Sequence, residues 1–247
     1  MNILEKFSIE QDKINKLDYR GFDNNSAEML KQYQLRNSFG LDQNTKIHRI
    51  FQKDFYTRDI AEGYITLPQA AASVWLDNLE NPLADVVGFD SLSGGDIDIG
   101  FLVRSFYALC WTDRALVRPQ DWNAFSHGKK AVRISTTVGK LVDRMMTQND
   151  GSYMHRSWVV NVEYKDPTEI MAMKTPVNAF NHMESSGAML AASAAVVQTK
   201  YSHENEVRLL MDDSFSPSIP GIIYESKKKL VRIPFDWSGF VDKIEYH

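Results

Sequence analysis

The run His203-Glu204-Asn205-Glu206-Val207-Arg208-Leu209-Leu210-Met211 places two carboxylates two residues apart in a largely apolar stretch. Read as a strand, its side chains alternate faces, so Glu204, Glu206, Arg208 and Leu210 share one side and the carboxylates stand about 7 Å apart. Such a pair can serve a cationic transition state, because a fixed negative charge beside developing positive charge lowers the barrier. The same spacing also fits a half-wet strand in which Glu206 and Arg208 neutralise each other or a partner strand.

Two further places carry chemistry-bearing types. Cys110-Trp111-Thr112, followed by Asp121-Trp122-Asn123-Ala124-Phe125, offers a hydroxyl and indoles near a strand end. That suits a planar ligand ring, and both tryptophans equally suit a core. Arg49 lies between Ile47 and Ile50, where a guanidinium is costly unless it meets an anion. It reads either as a bidentate phosphate clamp or as half of an internal ion pair with Asp77 or Glu80.

A rival constellation is Asp150 with Glu163-Tyr164-Lys165, an acid in a turn and then a strand ending Glu-x-Lys. This outlines a Mg²⁺-dependent nuclease, with the carboxylates on the metal and the lysine steadying the attacking water. It also reads as a strand whose polar end enters a loop. Other metal schemes are not expected: the histidines at 48, 127, 155, 182, 203 and 247 form no close pair, and one cysteine cannot build a structural zinc site. Gly94-Gly95 lacks the Lys-Ser/Thr of a P-loop, no Gly-x-Ser-x-Gly elbow occurs, and Asp96 to Gly100 lacks the later Glu of a calcium loop.

Several elements must position these groups. Ile47 to Phe51 reads as a strand, Phe55 to Glu62 as a helix closed by Gly63, and Tyr64 to Leu67 as a strand ending at Pro68. Gln69 to Leu79 has helical character, and Phe101 to Thr112 is apolar enough for one buried strand. Pro119 opens a helix over Gln120 to Phe125. Lys130 to Ser135 alternates as a strand, and Thr136 to Met146 is a helix with Val138, Leu141, Val142 and Met145 on one side. Trp158 to Tyr164 reads as a strand, Val177 to Thr199 as one long helix, and Asn205 to Met211 as a strand. Residues 1–45 are polar with helical spacing at Met29, Tyr33 and Leu35 and a cap at Ser26. The expectation is a helical appendage over 1–45 and a single α+β domain over 46–247, its sheet mixed and mostly antiparallel and flanked by helices.

The ordered set Ile47 to Phe51, Trp75 to Asn81, Cys110-Trp111-Thr112 with Trp122, Ala131 to Thr137 and His203 to Arg208 resembles the bacterial domain of unknown function family numbered 2971, from about Lys46 onward. More distantly it is similar to the ADP-ribosyltransferase fold. That resemblance implies NAD-dependent ADP-ribosyl transfer or NAD cleavage, with NAD as substrate and a protein or nucleic acid as acceptor. It implies that Arg49 grips an NAD phosphate and Thr112 holds the nicotinamide ribose. Trp111 or Trp122 would stack on the nicotinamide, Glu206 would stabilise the ribosyl cation, and Glu204 would orient the acceptor. The family resemblance further suggests a toxin or phage-defence setting with an antitoxin or regulatory partner. The competing reading is a non-enzymatic, antitoxin-type binding module in which Arg49, Glu204, Glu206 and Arg208 form a structural ion network.

The 247 residues, 43% of them hydrophobic, suffice for a sizeable core and argue against disorder. With 28 Lys+Arg against 32 Asp+Glu the net charge is −4, which removes the broad attraction behind non-specific nucleic-acid binding. Lys227-Lys228-Lys229 reads as a solvated turn. The single Cys110 and the sequence from Met1 to Lys6 suit a cytoplasmic protein without export signal or membrane span.

Overall fold

The computed structural model describes residues 3–17, 22–75, 77–90, 92, 94–146, 157–180, 186–213 and 220–247. In chain order these form α1 (Ile3–Asn15), α2 (Phe22–Asn37), β1 (Lys46–Gln52), α3 (Lys53–Glu62), β2 (Tyr64–Pro68), α4 (Ala72–Trp75), β3 (Val87–Asp90), β4 (Gly95–Asp98), α5 (Phe101–Arg104), β5 (Phe106–Thr112), α6 (Pro119–Ser126), β6 (Ala131–Thr137), α7 (Val138–Met145), β7 (Ser157–Asn161), β8 (Glu163–Lys165), α8 (Pro167–Met173), α9 (Pro176–Phe180), α10 (Ala188–Ser193), β9 (Val196–Gln198), β10 (Glu206–Asp212), β11 (Ile223–Glu225), β12 (Leu230–Pro234) and β13 (Lys243–Tyr246). The fold is mixed α+β.

Its centre is an antiparallel sheet in the order β13-β6-β1-β5-β10-β7. A smaller antiparallel sheet joins β11, β12 and β2, β3 and β4 form a hairpin, and β8 with β9 is a parallel pair. Alternation assigns Ile47, Phe51, Leu109, Trp111, Val207 and Leu209 to one face of the large sheet, where they share a core with the apolar side of α7. That helix is the one its spacing announced: Val138, Leu141, Val142 and Met145 are buried, and Thr137 caps its start by accepting the Lys140 N–H at 3.2 Å.

The opposite face is covered in two separate pieces. Phe106, Ala108, Trp158, Val160 and Leu210 lie in a core with Val103 of α5 and the alanines of α10. Ile50 and Ala131 lie under Trp122 of α6. Between these two caps the face is polar. The gap falls where β1 and β5 meet, and those strands are joined at a single register pair, His48 opposite Thr112.

Several expectations change. The helix expected to start at a Ser26 cap begins at Phe22, and the strand expected over Trp158 to Tyr164 divides into β7 and β8, which join different sheets. Phe101 to Thr112 is not one strand, because α5 precedes β5. The helical character of Gln69 to Leu79 is confined to α4. The helix expected over Val177 to Thr199 divides into α9 and α10 and then gives way to β9. Gly187 enters α10 at φ +75, and a Cβ there would stand 3.3 Å from the Trp158 ring, while the β-branched Val196 and Val197 pair with β8. Finally, β10 starts at Glu206, after a left-handed Asn205. The amino-terminal helices pack onto the sheet layers, with Leu30 of α2 in the first core and Phe7 of α1 against the second. Among the described residues no helix is long and apolar enough to cross a membrane.

Candidate functional site

Strand register builds the site. Ser135 of β6 lies opposite His48, His48 opposite Thr112, and Thr112 opposite Glu206. Four polar side chains from four adjacent strands therefore form one row on the face left open between the two caps. A pocket opens over this row, lined by His48, Arg49, Cys110, Thr112, Arg114, Glu204 and Glu206, with Leu116 and Phe125 also bordering it. Its volume for water-sized occupants is about 40 Å³.

His48 is buried, and its Nδ1 lies 2.7 Å from the Ser135 hydroxyl. Burial, followed by the charge of Arg133, pushes its pKa down to about 4, so the imidazole is neutral near pH 7. Thr112 donates its hydroxyl to the Glu204 carbonyl at 2.6 Å and accepts the Arg114 N–H at 3.1 Å. Arg114 in turn reaches the His203 carbonyl and, at 2.5 Å, Asp121 of α6. Arg133 fixes the same loop from below by donating to the Arg114 and Ala115 carbonyls while paired with Glu245.

The two carboxylates are not successive same-face residues of one strand, as their spacing suggested. Glu204 ends a short 3₁₀ turn, Thr199–Glu204, and Asn205 at φ 45 reverses the chain before Glu206 opens β10. Their environments differ accordingly. Glu206 is buried and gripped by Arg208 through Nε to Oε1 at 2.7 Å and Nη2 to Oε2 at 3.2 Å. The Glu204 carboxylate is half-buried and has no hydrogen-bond partner among the described residues. Burial, reinforced by Glu206 and opposed by Arg208 and Arg114, pushes its pKa up to about 7.

Arg49 leaves β1 on the face of Ile47 and Phe51, with its guanidinium carbon 4.8 Å from the Phe51 ring centre. It nevertheless reaches the pocket at the β1/β5 seam, where Nη1 donates to the Cys110 carbonyl. Its Nε is buried without a partner among the described residues, and burial lowers its pKa. Neither expected internal partner is taken: Asp77 accepts from Gln198 at 2.6 Å and Glu80 pairs with Arg208. Trp111 borders the pocket but is packed edge-on against Phe51 and Phe240 in the core. Trp122 stacks on the His247 ring at 5.0 Å and lies outside the pocket lining.

Of the nuclease set, Asp150 lies outside the described residues. Lys165 and Glu163 pair with each other at 3.1 Å on β8, whose Tyr164 hydroxyl accepts the Glu206 N–H. Among the described residues no group of three or more His, Cys, Asp or Glu side chains is arranged to hold a metal ion.

Arg49, Thr112, Glu204 and Glu206 thus share one pocket, Trp111 contributes mainly to the core, and Trp122 stands apart. Sequence reasoning passed over His48 and Arg114. The alternation of β1 held the signal for His48, since it puts residues 48 and 49 on opposite faces. No protein-family model, curated protein or solved structure matches the chain.

Proposed function

We propose that the protein is a cytoplasmic NAD-cleaving enzyme or ADP-ribosyltransferase, related to the domain of unknown function family numbered 2971 and to the ADP-ribosyltransferase fold. The observation that carries the reading is the row His48, Thr112, Glu206 on three adjacent strands, with the loose Glu204 carboxylate beside it in the same pocket. The nicotinamide end enters the pocket and the rest of the dinucleotide lies outside it, with Arg49 and Arg114 in the pocket wall supplying positive charge. Neutral His48 hydrogen-bonds the ribose. The glycosidic carbon–nitrogen bond breaks with its electron pair leaving on nicotinamide, and Glu206 faces the positive charge that develops on the ribosyl carbon. Glu204 accepts the proton of the incoming water or acceptor hydroxyl as the new carbon–oxygen bond forms. A role as toxin or defence component, acting on a protein or nucleic-acid acceptor and held by an antitoxin-type partner, completes the proposal.

The test is incubation with NAD, alone and with cell extract, following nicotinamide release and label transfer. Release by the wild-type protein that is lost in Glu206→Gln supports the reading. Silence with every nucleotide tried would sink it and favour the binding module. One observation favours that second reading: both oxygens of Glu206 are already occupied by Arg208, as in a structural ion network.

A further inference from the structure

Trp75, Asp77, Glu80 and Asn81 belong to a stretch singled out in the sequence, yet none of them lines the pocket. They stand behind it, around Arg208. The Trp75 ring centre is 5.1 Å from the guanidinium carbon, and Glu80 Oε1 is 2.5 Å from Nη1. Asn81 pins the segment by donating to the Ala70 and Val103 carbonyls at 2.8 and 2.9 Å. Asp77 fixes it from the other side by accepting from Gln198 Nε2 and from the Leu79 N–H.

The guanidinium is therefore divided. Its Nε and Nη2 serve Glu206, while Nη1 serves Glu80 and the Ala194 carbonyl. Glu80, Arg208 and Glu206 are all buried, at 6%, 1% and 6% exposure. When both carboxyls are ionised, one positive charge faces two negative ones away from water and the group carries a negative excess.

We propose that Glu80 is a positioning residue for Glu206, acting through Arg208: by holding one arm of the guanidinium it fixes the plane of the pocket carboxylate and leaves Glu206 incompletely neutralised. A carboxylate fully cancelled by its own arginine has little left for a cation in the pocket, whereas one sharing that arginine retains part of its field. This rests on reading Glu206 as the working carboxylate of the pocket.

Other charged and titratable groups face the same cluster. Asp77 acts on Glu80 from its own segment; Cys110 acts on Arg208 from β5. Glu206 also meets the Cys110 thiol, the Tyr164 hydroxyl from β8, Arg49 from β1 and Glu204. Burial pushes the Glu80 carboxyl up; Arg208 opposes this and Glu206 adds to it. Arg208 stays firmly charged because, although burial disfavours its charge, the two carboxylates outweigh that cost.

The experiment is carbon-13 NMR of the full chain labelled at the glutamate carboxyl carbons, titrated without nucleotide. Expected is a Glu80 midpoint above the ordinary glutamate range that falls in Glu206→Gln, since coupled sites report each other's charge. An unchanged Glu80 midpoint in that variant overturns the proposal. If Glu206→Gln does not fold, the wild-type curve decides: a two-step Glu80 titration carries the coupling and a single step overturns it. A second readout separates this inference from the NAD reading. Glu80→Gln should move the pH profile of nicotinamide release, with Glu80→Asp restoring it. Coupled titrations in a protein silent on NAD sustain the Glu80 role and remove the NAD reading; NAD cleavage with uncoupled titrations does the reverse.

Discussion

The hydroxyl of Thr112 donates to the backbone carbonyl of Glu204 at 2.6 Å and accepts the N–H of Arg114 at 3.1 Å. One side chain thereby ties the turn before β10 to the loop after β5 and sets where the loose carboxylate of the pocket stands.

Thr112→Val keeps the shape of the side chain and loses both bonds. We expect about 1–2 kcal/mol less stability in urea titration. Nicotinamide release should fall at least about tenfold, because Glu204 is no longer held in place. Thr112→Ser should retain most of both. Full turnover in the valine variant would show that the hydroxyl positions nothing.

Breaking the Arg208 grip should be severe for the fold. Arg208→Met strands Glu80 and Glu206 as buried carboxylates, and loss of a buried partner typically costs about 3–5 kcal/mol. A large drop in thermal midpoint that shrinks in the Arg208→Met/Glu206→Gln double variant is the expected outcome. Additive losses would mean that the two residues do not interact.

The pH dependence has a definite sign for each group. Glu204 is raised from 4.5 to about 7, so its folded form binds a proton that the unfolded chain has released. Its contribution to stability is present below pH 4.5 and is lost as pH rises through about 7. Glu204→Gln should therefore flatten the decline in urea midpoint across that window. His48 is lowered from 6.5 to about 4, so its contribution is present above pH 6.5 and is lost as pH falls through about 4. His48→Gln should remove that acid-side loss. If Glu204 is the base, turnover rises with pH through about 7, and this limb disappears in Glu204→Gln.

Arg133→Met should loosen the loop over the pocket. The change frees the Arg114 and Ala115 carbonyls and leaves Glu245 with Lys243 alone. Faster amide hydrogen exchange over residues 114–118, with the exchange of α7 unchanged, is the expected signature. Equal acceleration in both places would point to general destabilisation instead.

What the sequence made legible follows from what local rules encode. Alternation and helical spacing announced β1, β6 and α7, although only α7 buries a single side, β1 and β6 being covered on both faces. The division of Val177 to Thr199 was hidden because alanines and methionines suit helices, whereas Val196 and Val197 are recruited by pairing with β8, a partner that no local window contains. The same limit governed the site. Arg49 stood out as a charge among apolar neighbours, but only the register across β6, β1, β5 and β10 reveals that His48 shares a face with Thr112 and Glu206. Glu204 and Glu206 looked like one strand's pair because the alternation runs on through Asn205, although asparagine is among the few residues that readily take the left-handed conformation found there.

The single register pair between β1 and β5 makes the large sheet mechanically two leaves, β13-β6-β1 and β5-β10-β7. Within each leaf the strands are bonded along most of their length, as in the seven register pairs of β1 with β6 and of β10 with β5. Between them the backbone pairing is one register pair, supplemented by the arms of Arg49 on the Cys110 carbonyl and of Arg133 on the loop after β5. The line of fewest backbone bonds therefore runs directly beneath the pocket, whose floor is held there by side-chain packing such as Phe51 on Trp111 rather than by a ladder.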